Sequence, residues 1–305
     1  MGRKQQYILR SLALCGAVFL FVGGPDYNSF RSFRYVWGAG HLFCFALWAY
    51  LYVVWRSDQS FKRHLFEVVI LAFVLGGLTE LIQSQIGREA AWQDLGNDLV
   101  GAAVGVVFFA ESRKTVSTWQ LKFLQVPILF IALWSLFPVG KILVDDVIAW
   151  RQFPLLSGFE TPFEKTRWSG SARRKINHEI HFAGNSSLKI KFTTQRYSGG
   201  GLKDFPRDWS AYRAVSLQVF NPDPEPMQLY YRIHDQQHNN TYSDRFNTSF
   251  DLTPGWNHLE VSLAKVAQAP KNRSLDLTHI AGMGLFVGKL NHPRILYLDE
   301  VKLLP

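Results

Sequence analysis

The residues most able to do chemistry in this sequence are ionisable and amide side chains within or beside apolar stretches of its first half. They are His41, Glu80, Gln83, Arg88, Asp94 and Asp98. A charge buried in a bilayer costs about 2.5 to 3.5 kcal/mol by insertion scales, so Glu80 should have a partner among them. The sequence leaves two roles open. Arg88 would hold a phosphate while Glu80 acts as acid or base, or the cluster would lock helix packing.

Five apolar runs in residues 1–150 predict five transmembrane helices, and three of these runs carry or flank the side chains named above. The predicted helices are 7–24, 36–55, 65–87, 95–110 and 123–144. Each run approaches or exceeds the roughly 20 residues needed to cross a bilayer. Gly101 and Gly105 form a small-xxx-small step, which should bring the fourth helix close against the third. The first half is therefore expected to be a five-helix transmembrane bundle.

Basic residues are distributed unevenly around the predicted helices. They concentrate before or at the start of the first helix and after the second and fourth, at Arg3, Lys4, Arg10, Arg56, Lys62, Arg63, Arg113, Lys114 and Lys122. By the positive-inside rule, this pattern predicts a cytoplasmic N-terminus. Because the number of predicted spans is odd, everything after Val144 is expected to lie outside the cytoplasm.

A set of short motifs in the first half resembles the membrane domain of the VanZ-like family over about residues 36–110. The motifs are Glu80-Leu-Ile-Gln83, Gly87-Arg88, Asp94 and Gly101-Ala-Ala-Val-Gly105, with His41 at the family's histidine. Three positions depart from the family pattern, since Trp37-Gly38 replaces Asp-Lys and Asp98 replaces Asn. The resemblance implies a protein of the bacterial cell envelope, located in the cytoplasmic (inner) membrane, in a family whose founding member is associated with glycopeptide-antibiotic resistance.

From Ser157 onward the hydrophobic pattern has a period of two, which is typical of strands with one buried face. The alternating apolar sets are Leu188/Ile190/Phe192, Val215/Leu217/Val219 and Leu259/Val261/Leu263. Turn sequences rich in Pro, Gly, Asn and Asp separate such sets. Residues 157–305 are therefore predicted to form an antiparallel β-sandwich, with the domain boundary near residues 150–157.

Several motifs of this half resemble galactose-binding-like jelly rolls of the carbohydrate-binding-module kind. They are Gly158-Phe-Glu160, Asp208-Trp-Ser-Ala-Tyr212, Pro254-Gly-Trp256-Asn257 and Leu298-Asp299-Glu300-Val301. The resemblance implies a glycan ligand, although the same sandwich fold also serves protein contacts. It also suggests that Glu160 and Asp299 supply oxygen ligands to a structural calcium ion of the type seen in such modules.

Aromatic and planar polar side chains of the second half could bind a sugar. Tyr230, Arg232 and His234 should share one face of a strand, since residues two apart point the same way, and Arg245 begins another strand. Aromatic faces suit the apolar side of a pyranose, and guanidinium groups suit its hydroxyls. Three other aromatics are better explained by core and turn packing: Phe205, Trp209 and Trp256.

Three functions are compatible with this sequence. The favoured one is an envelope membrane protein whose outer domain binds a glycan. The second is a membrane enzyme or carrier acting on a lipid-linked envelope substrate, and the third is a structural or assembly subunit. The formal net charge is +9, but without a Lys/Arg tract or a recognition motif it does not indicate a nucleic-acid partner. A non-enzymatic role is favoured, and the oligomeric state is not indicated.

Overall fold

The computed structural model describes residues 3–21, 24–25, 29–85 and 92–305. Their contacts divide the chain into two compact units, residues 1–142 and residues 143–305. Six α-helices occur in these described ranges, and not the five predicted. The additional helix is Leu263–Ala267, in the second unit. It was missed because one helical turn between strands is too short to show a helical hydrophobic period.

The six helices differ in their limits from the apolar runs that predicted the first five: each of those five begins three to five residues earlier, and only the fifth also ends later. They are α1 (Arg3–Phe21), α2 (Arg31–Trp55), α3 (Phe61–Gln85), α4 (Trp92–Phe109), α5 (Thr118–Gln152) and α6 (Leu263–Ala267). Polar residues at the N-terminal ends of α2 to α5 continue the i→i−4 hydrogen-bond ladder, so the apolar run marks only part of each helix.

Three of the described helices, α2, α3 and α5, are long and apolar enough to cross a membrane. The other two predicted spans, 7–24 and 95–110, do not meet this measure within the described residues. Helix α1 contains only the shorter apolar stretch Tyr7–Leu20, and the first two turns of α4 carry Gln93, Asp94, Asn97 and Asp98.

Helix α4 packs closely along α2, and not through its glycines against α3 as predicted. A Cβ atom on Gly101 would lie 2.9 Å from the carbonyl carbon of Leu42, and one on Gly105 would lie 2.7 Å from the Cβ of Ala49. Both are shorter than ordinary van der Waals contacts. Small residues permit close approach to either neighbour, so the glycine spacing alone could not identify the partner helix.

The second unit consists of eleven strands in two antiparallel sheets. They are β1 (Leu155–Ser157), β2 (Trp168–Ser169), β3 (Arg173–Asn177), β4 (Ser187–Lys191), β5 (Tyr197–Leu202), β6 (Ala214–Asn221), β7 (Met227–Asp235), β8 (Phe246–Leu252), β9 (Gly255–Ser262), β10 (Ile280–Gly288) and β11 (Ile295–Leu304). One sheet has the order β3-β4-β11-β6-β9, with β1 also paired to β11, and the other has the order β2-β5-β10-β7-β8.

Strand β7 shows how the sequence builds the core and leaves the opposite face available. Leu229, Tyr231 and Ile233 are fully buried in the core, whereas Tyr230, Arg232 and His234 point the other way and are half-buried. The alternation predicted for this strand is therefore confirmed. Three aromatics were predicted to serve in packing. Phe205 and Trp209 are buried in the same core, and Trp256 is half-buried.

A fully buried ion pair lies within the second unit. The Arg167 guanidinium donates to Asp145 Oδ1 through Nη2 at 2.6 Å and through Nε at 3.0 Å, and both side chains are only 1% exposed. Its Nη1 also donates to the Leu156 carbonyl oxygen at 3.2 Å. The pair therefore ties the C-terminal end of α5 to the residues that follow it.

Candidate functional site

The exposed face of the five-stranded sheet contains a cleft with a glycine floor. Gly201 of β5 lies opposite Gly284 of β10, and Gly284 lies opposite Arg232 of β7. Residues directly opposite each other share a face of a sheet. Gly201, Gly284 and Arg232 therefore form one row across the three strands, and its two glycine positions carry no side chain. The cleft has a volume of about 530 Å³, which is within the usual size of small-ligand sites.

Aromatic rings line this cleft. Tyr197 and Tyr242 are 60% and 72% exposed, and both contribute to its walls together with Phe286. The Phe286 ring meets Tyr197 edge-on at 6.2 Å and is stacked on Tyr230 at 5.3 Å. Exposed aromatic side chains offer a large apolar surface with a polar tip, so this cleft can receive a flat ligand that is apolar on one side.

Three cations also line the cleft: Lys203, Arg232 and Arg245. The Arg245 Nε donates to Asn247 Oδ1 at 2.9 Å, and its guanidinium carbon lies 5.7 Å from the centre of the Tyr242 ring. Burial, and then the charge of Arg232, lowers the pKa of Arg245 from its usual value. The two arginines are therefore close enough to repel each other.

Of the four predicted sugar-binding residues, two line the cleft and two do not. Arg232 and Arg245 line the cleft. Tyr230 supports Phe286 from the side, and its hydroxyl donates to Gln228 Oε1 at 2.6 Å. His234 lies on the same face of β7 but does not line the cleft. Their assignment as ligand-binding residues stays a prediction.

Sequence reasoning missed Tyr197, Lys203 and Phe286, and it did not identify the glycine floor. A signal was present in the run Gly199–Gly200–Gly201 within a strand. Glycine inside a strand often marks close approach of a ligand or of another backbone. The sequence does not show, however, that this run pairs with β10.

A salt-bridge network holds the segment that carries Tyr242 and Arg245. Arg273 contacts both oxygens of Asp235, at 2.5 and 2.8 Å, and its Nε donates to Asp244 Oδ1 at 2.7 Å. The hydrogen bond from Arg273 is the main reason that the pKa of Asp244 falls to about 2. Both carboxylates are therefore engaged by Arg273 at neutral pH.

We expect the protein to lose stability between about pH 6.5 and pH 4 because of His234. Burial, followed by the nearby charges of His238, Arg232, Arg245 and Lys203, lowers the pKa of His234 from 6.5 to about 4. The unfolded chain therefore takes up this proton first as the pH falls, and unfolding becomes more favourable. The difference corresponds to roughly 3 kcal/mol once the pH is below both values.

Thermal unfolding of the full-length chain at pH 7 and at pH 4.5 measures this effect. His234→Gln should reduce the difference between the two pH values, whereas the exposed His292→Gln should leave it unchanged. An equal pH dependence in all three proteins would contradict the role given to His234.

The two residues predicted to hold calcium both bind the same loop. Glu160 Oε1 accepts the backbone N–H groups of Asn185 and Ser186 at 2.8 and 2.9 Å. Asp299 Oδ2 accepts that of Phe182 at 2.7 Å. A calcium ion takes six to eight oxygen ligands, and here N–H donors already use part of both carboxylates. The calcium site stays a prediction.

The first unit brings together four of the six cluster residues predicted from its sequence. His41 Nδ1 is 2.9 Å from Asp98 Oδ1, and both side chains are buried. One ligand atom from each of His41, Glu80 and Asp94 lies within 4.8 Å of the others. Gly76 lets α3 reach this point, because a Cβ there would lie 2.5 Å from Asp98 Oδ2.

Of the other two residues predicted for that cluster, one is described by the structure and one is not. Gln83 is buried, and its side-chain amide donates to the Leu20 carbonyl oxygen at 2.7 Å, which ties α3 to α1. Arg88 lies outside the described residues. The cluster joins α2, α3 and α4, and its use as a functional site stays a prediction.

Comparisons with known proteins concern the fold of the sandwich. No family model matches the chain, the VanZ-like family included, and no curated protein matches it. It is similar to an exo-β-agarase with 19% identity and a TM-score of 0.41, over 50% of this chain and 24% of that chain.

Two carbohydrate-binding modules are also similar in structure. One is a family 11 module from Clostridium thermocellum in complex with a β-1,3-1,4-mixed-linked tetrasaccharide, with 17% identity and a TM-score of 0.40, over 49% of this chain and 94% of that chain. The other is a xylan-binding domain of family 22, with 14% identity and a TM-score of 0.33, over 48% of this chain and 90% of that chain. The C-terminal sandwich resembles these modules in fold.

Proposed function

We propose that this chain is a membrane-anchored protein of the bacterial cell envelope whose C-terminal sandwich, a galactose-binding-like jelly roll, binds a glycan. The observation that carries the proposal is the cleft on the exposed face of the five-stranded sheet. It combines a glycine floor with the exposed rings of Tyr197 and Tyr242. Helices α2, α3 and α5 would provide the anchor, with the sandwich on the extracytoplasmic side.

The chemistry of the cleft favours a sugar over a purely apolar ligand. A pyranose has C–H groups that pack on an aromatic face and hydroxyls around its rim. Tyr197, Tyr242 and Phe286 supply the rings, while the hydroxyl of Ser169 and the guanidinium of Arg232 supply hydrogen-bonding groups. A concave apolar site with a few polar groups is the usual design of a small-ligand site.

Loss of either exposed ring should weaken glycan binding. We expect Tyr197→Ala and Tyr242→Ala each to reduce affinity about tenfold, because a packed aromatic ring contributes on the order of 1.5 kcal/mol. Titration of the detergent-solubilised full-length chain with mixed-linkage β-glucan, xylan, agarose and polygalacturonate provides the measurement.

Phe182→Ala is the matched control, since Phe182 is also an exposed aromatic residue of the second unit but does not line the cleft. It should bind like the unsubstituted chain. A second variant, Gly284→Leu, should fill the floor of the cleft and abolish binding. The proposal would be wrong if the folded protein bound none of the four polysaccharides, or if all the variants bound as well as the control.

A further inference from the structure

All the charged side chains that line the cleft are positive. Lys203, Arg232 and Arg245 line it, and none of its described lining residues is an aspartate or a glutamate. A neutral glycan needs hydrogen-bond donors and acceptors but no excess of positive charge. The cations of the cleft therefore require an explanation beyond sugar binding in general.

The carboxylates of Asp235 and Asp244 do not neutralise the two arginines of the cleft. Asp235 and Asp244 lie next to the segment that carries Arg245, but both form ion pairs with Arg273. In the part of the chain that the structure describes, neither Arg232 nor Arg245 forms an ion pair with a carboxylate. The positive charge of these two arginines is thus left for a ligand to balance.

The behaviour of His234 supports the same conclusion. This imidazole lies on the same face of β7 as Arg232 but does not line the cleft. Its pKa falls to about 4 because it is buried and because of the nearby charges of His238, Arg232, Arg245 and Lys203. Its neutral form keeps one more charge out of an already positive region. The positive charges of the cleft therefore also affect His234, which is not one of the lining residues.

We propose that the cleft selects an acidic glycan, one whose sugar rings carry carboxylate or sulfate groups. The inference rests on the proposed function, since it names the ligand class of the same site. The planar guanidinium fork of arginine pairs with carboxylate and sulfate oxygens through two parallel hydrogen bonds. The rings of Tyr197 and Tyr242 would pack on the sugars while Arg232 and Arg245 bind their acidic groups.

Polygalacturonate and its fully methyl-esterified form test this directly, because the two share one backbone and differ in charge. The detergent-solubilised full-length chain should bind polygalacturonate at least tenfold more tightly than the ester. That preference should decline when the salt concentration rises from 0.1 to 0.5 M, because salt screens charge interactions. Binding of polygalacturonate should also raise the pKa of His234, followed by NMR, whereas the ester should not.

Variants that remove single charges show which residues produce the preference for polygalacturonate. Arg232→Gln and Arg245→Gln should each lose about tenfold or more in affinity for polygalacturonate, and a larger factor for it than for the ester. Lys191→Gln removes an exposed cation of β4, in the other sheet, and should retain both affinities. Melting temperatures near that of the unsubstituted chain would show that the variants are folded.

The outcomes separate this inference from the proposal on which it rests. Equal affinity for the acid and the ester would overturn acidic selectivity and leave glycan binding in place. Failure to bind any polysaccharide would overturn both. Poly-glutamate bound as tightly as polygalacturonate, with the same dependence on Arg232 and Arg245, would identify a general polyanion surface and would also overturn the inference.

Discussion

Replacing Asp145 with asparagine is expected to lower the free energy of unfolding of the second unit by about 3 to 5 kcal/mol. Asp145 and Arg167 are both 1% exposed and form an ion pair at 2.6 Å. Without the carboxylate, the guanidinium would remain buried with only carbonyl oxygens as partners. For a unit of this size, the melting temperature should fall by roughly 10 °C.

Thermal unfolding of the full-length chain, followed by tryptophan fluorescence, measures this loss. Asp146→Asn is the control, because it removes the neighbouring carboxylate and leaves the Arg167 pair intact. The double variant Asp145→Leu/Arg167→Met should be more stable than Asp145→Asn, since an apolar pair avoids the unpaired buried charge. If Asp145→Asn melted at the same temperature as Asp146→Asn, the pair would have no structural role.

The strand pattern could be read from the sequence because it is local. In β7, a period of two separates Leu229, Tyr231 and Ile233 from Arg232 and its neighbours on the other face. That information lies within nine residues and needs no knowledge of the partner strands. The sandwich and the outward direction of Arg232 were therefore predictable.

The cleft was not predictable in the same way, because it depends on register between distant segments. Gly201 and Gly284 face the same side only because β5 and β10 pair with these two residues opposite each other. Nothing in either segment alone specifies that pairing. Tyr197 and Phe286 were missed for the same reason, since each is an ordinary strand aromatic until the register places it beside the floor.

In the first unit, too, some features could be predicted from the sequence and others could not. Polar side chains in apolar runs were expected to meet, because a charge in such an environment needs a partner, and His41 does meet Asp98. The glycines of α4 were correctly expected to permit close packing. Their partner was wrongly assigned, because the spacing of Gly101 and Gly105 defines a face of α4 but not the helix that covers it.

The contact between α2 and α4 should be highly sensitive to one added methyl group. We expect Gly101→Ala to lower the free energy of unfolding of the first unit by about 3 kcal/mol or more, the upper end for overpacking. A Cβ at this position would lie 2.9 Å from the Leu42 carbonyl carbon and 3.0 Å from its Cα. Backbone atoms cannot rotate away as a flexible side chain can, so the two helices would have to separate.

Retention of soluble, monodisperse protein after heating in detergent measures this effect, and Gly96→Ala is the matched control in the same helix. A Cβ on Gly96 would meet nothing within 4 Å, and alanine favours a helix over glycine by about 1 kcal/mol. The control should therefore be as stable as the unsubstituted chain, or more so. If Gly101→Ala were equally stable, the close packing of α4 against α2 would be refuted, because the added carbon has no room unless the helices are further apart.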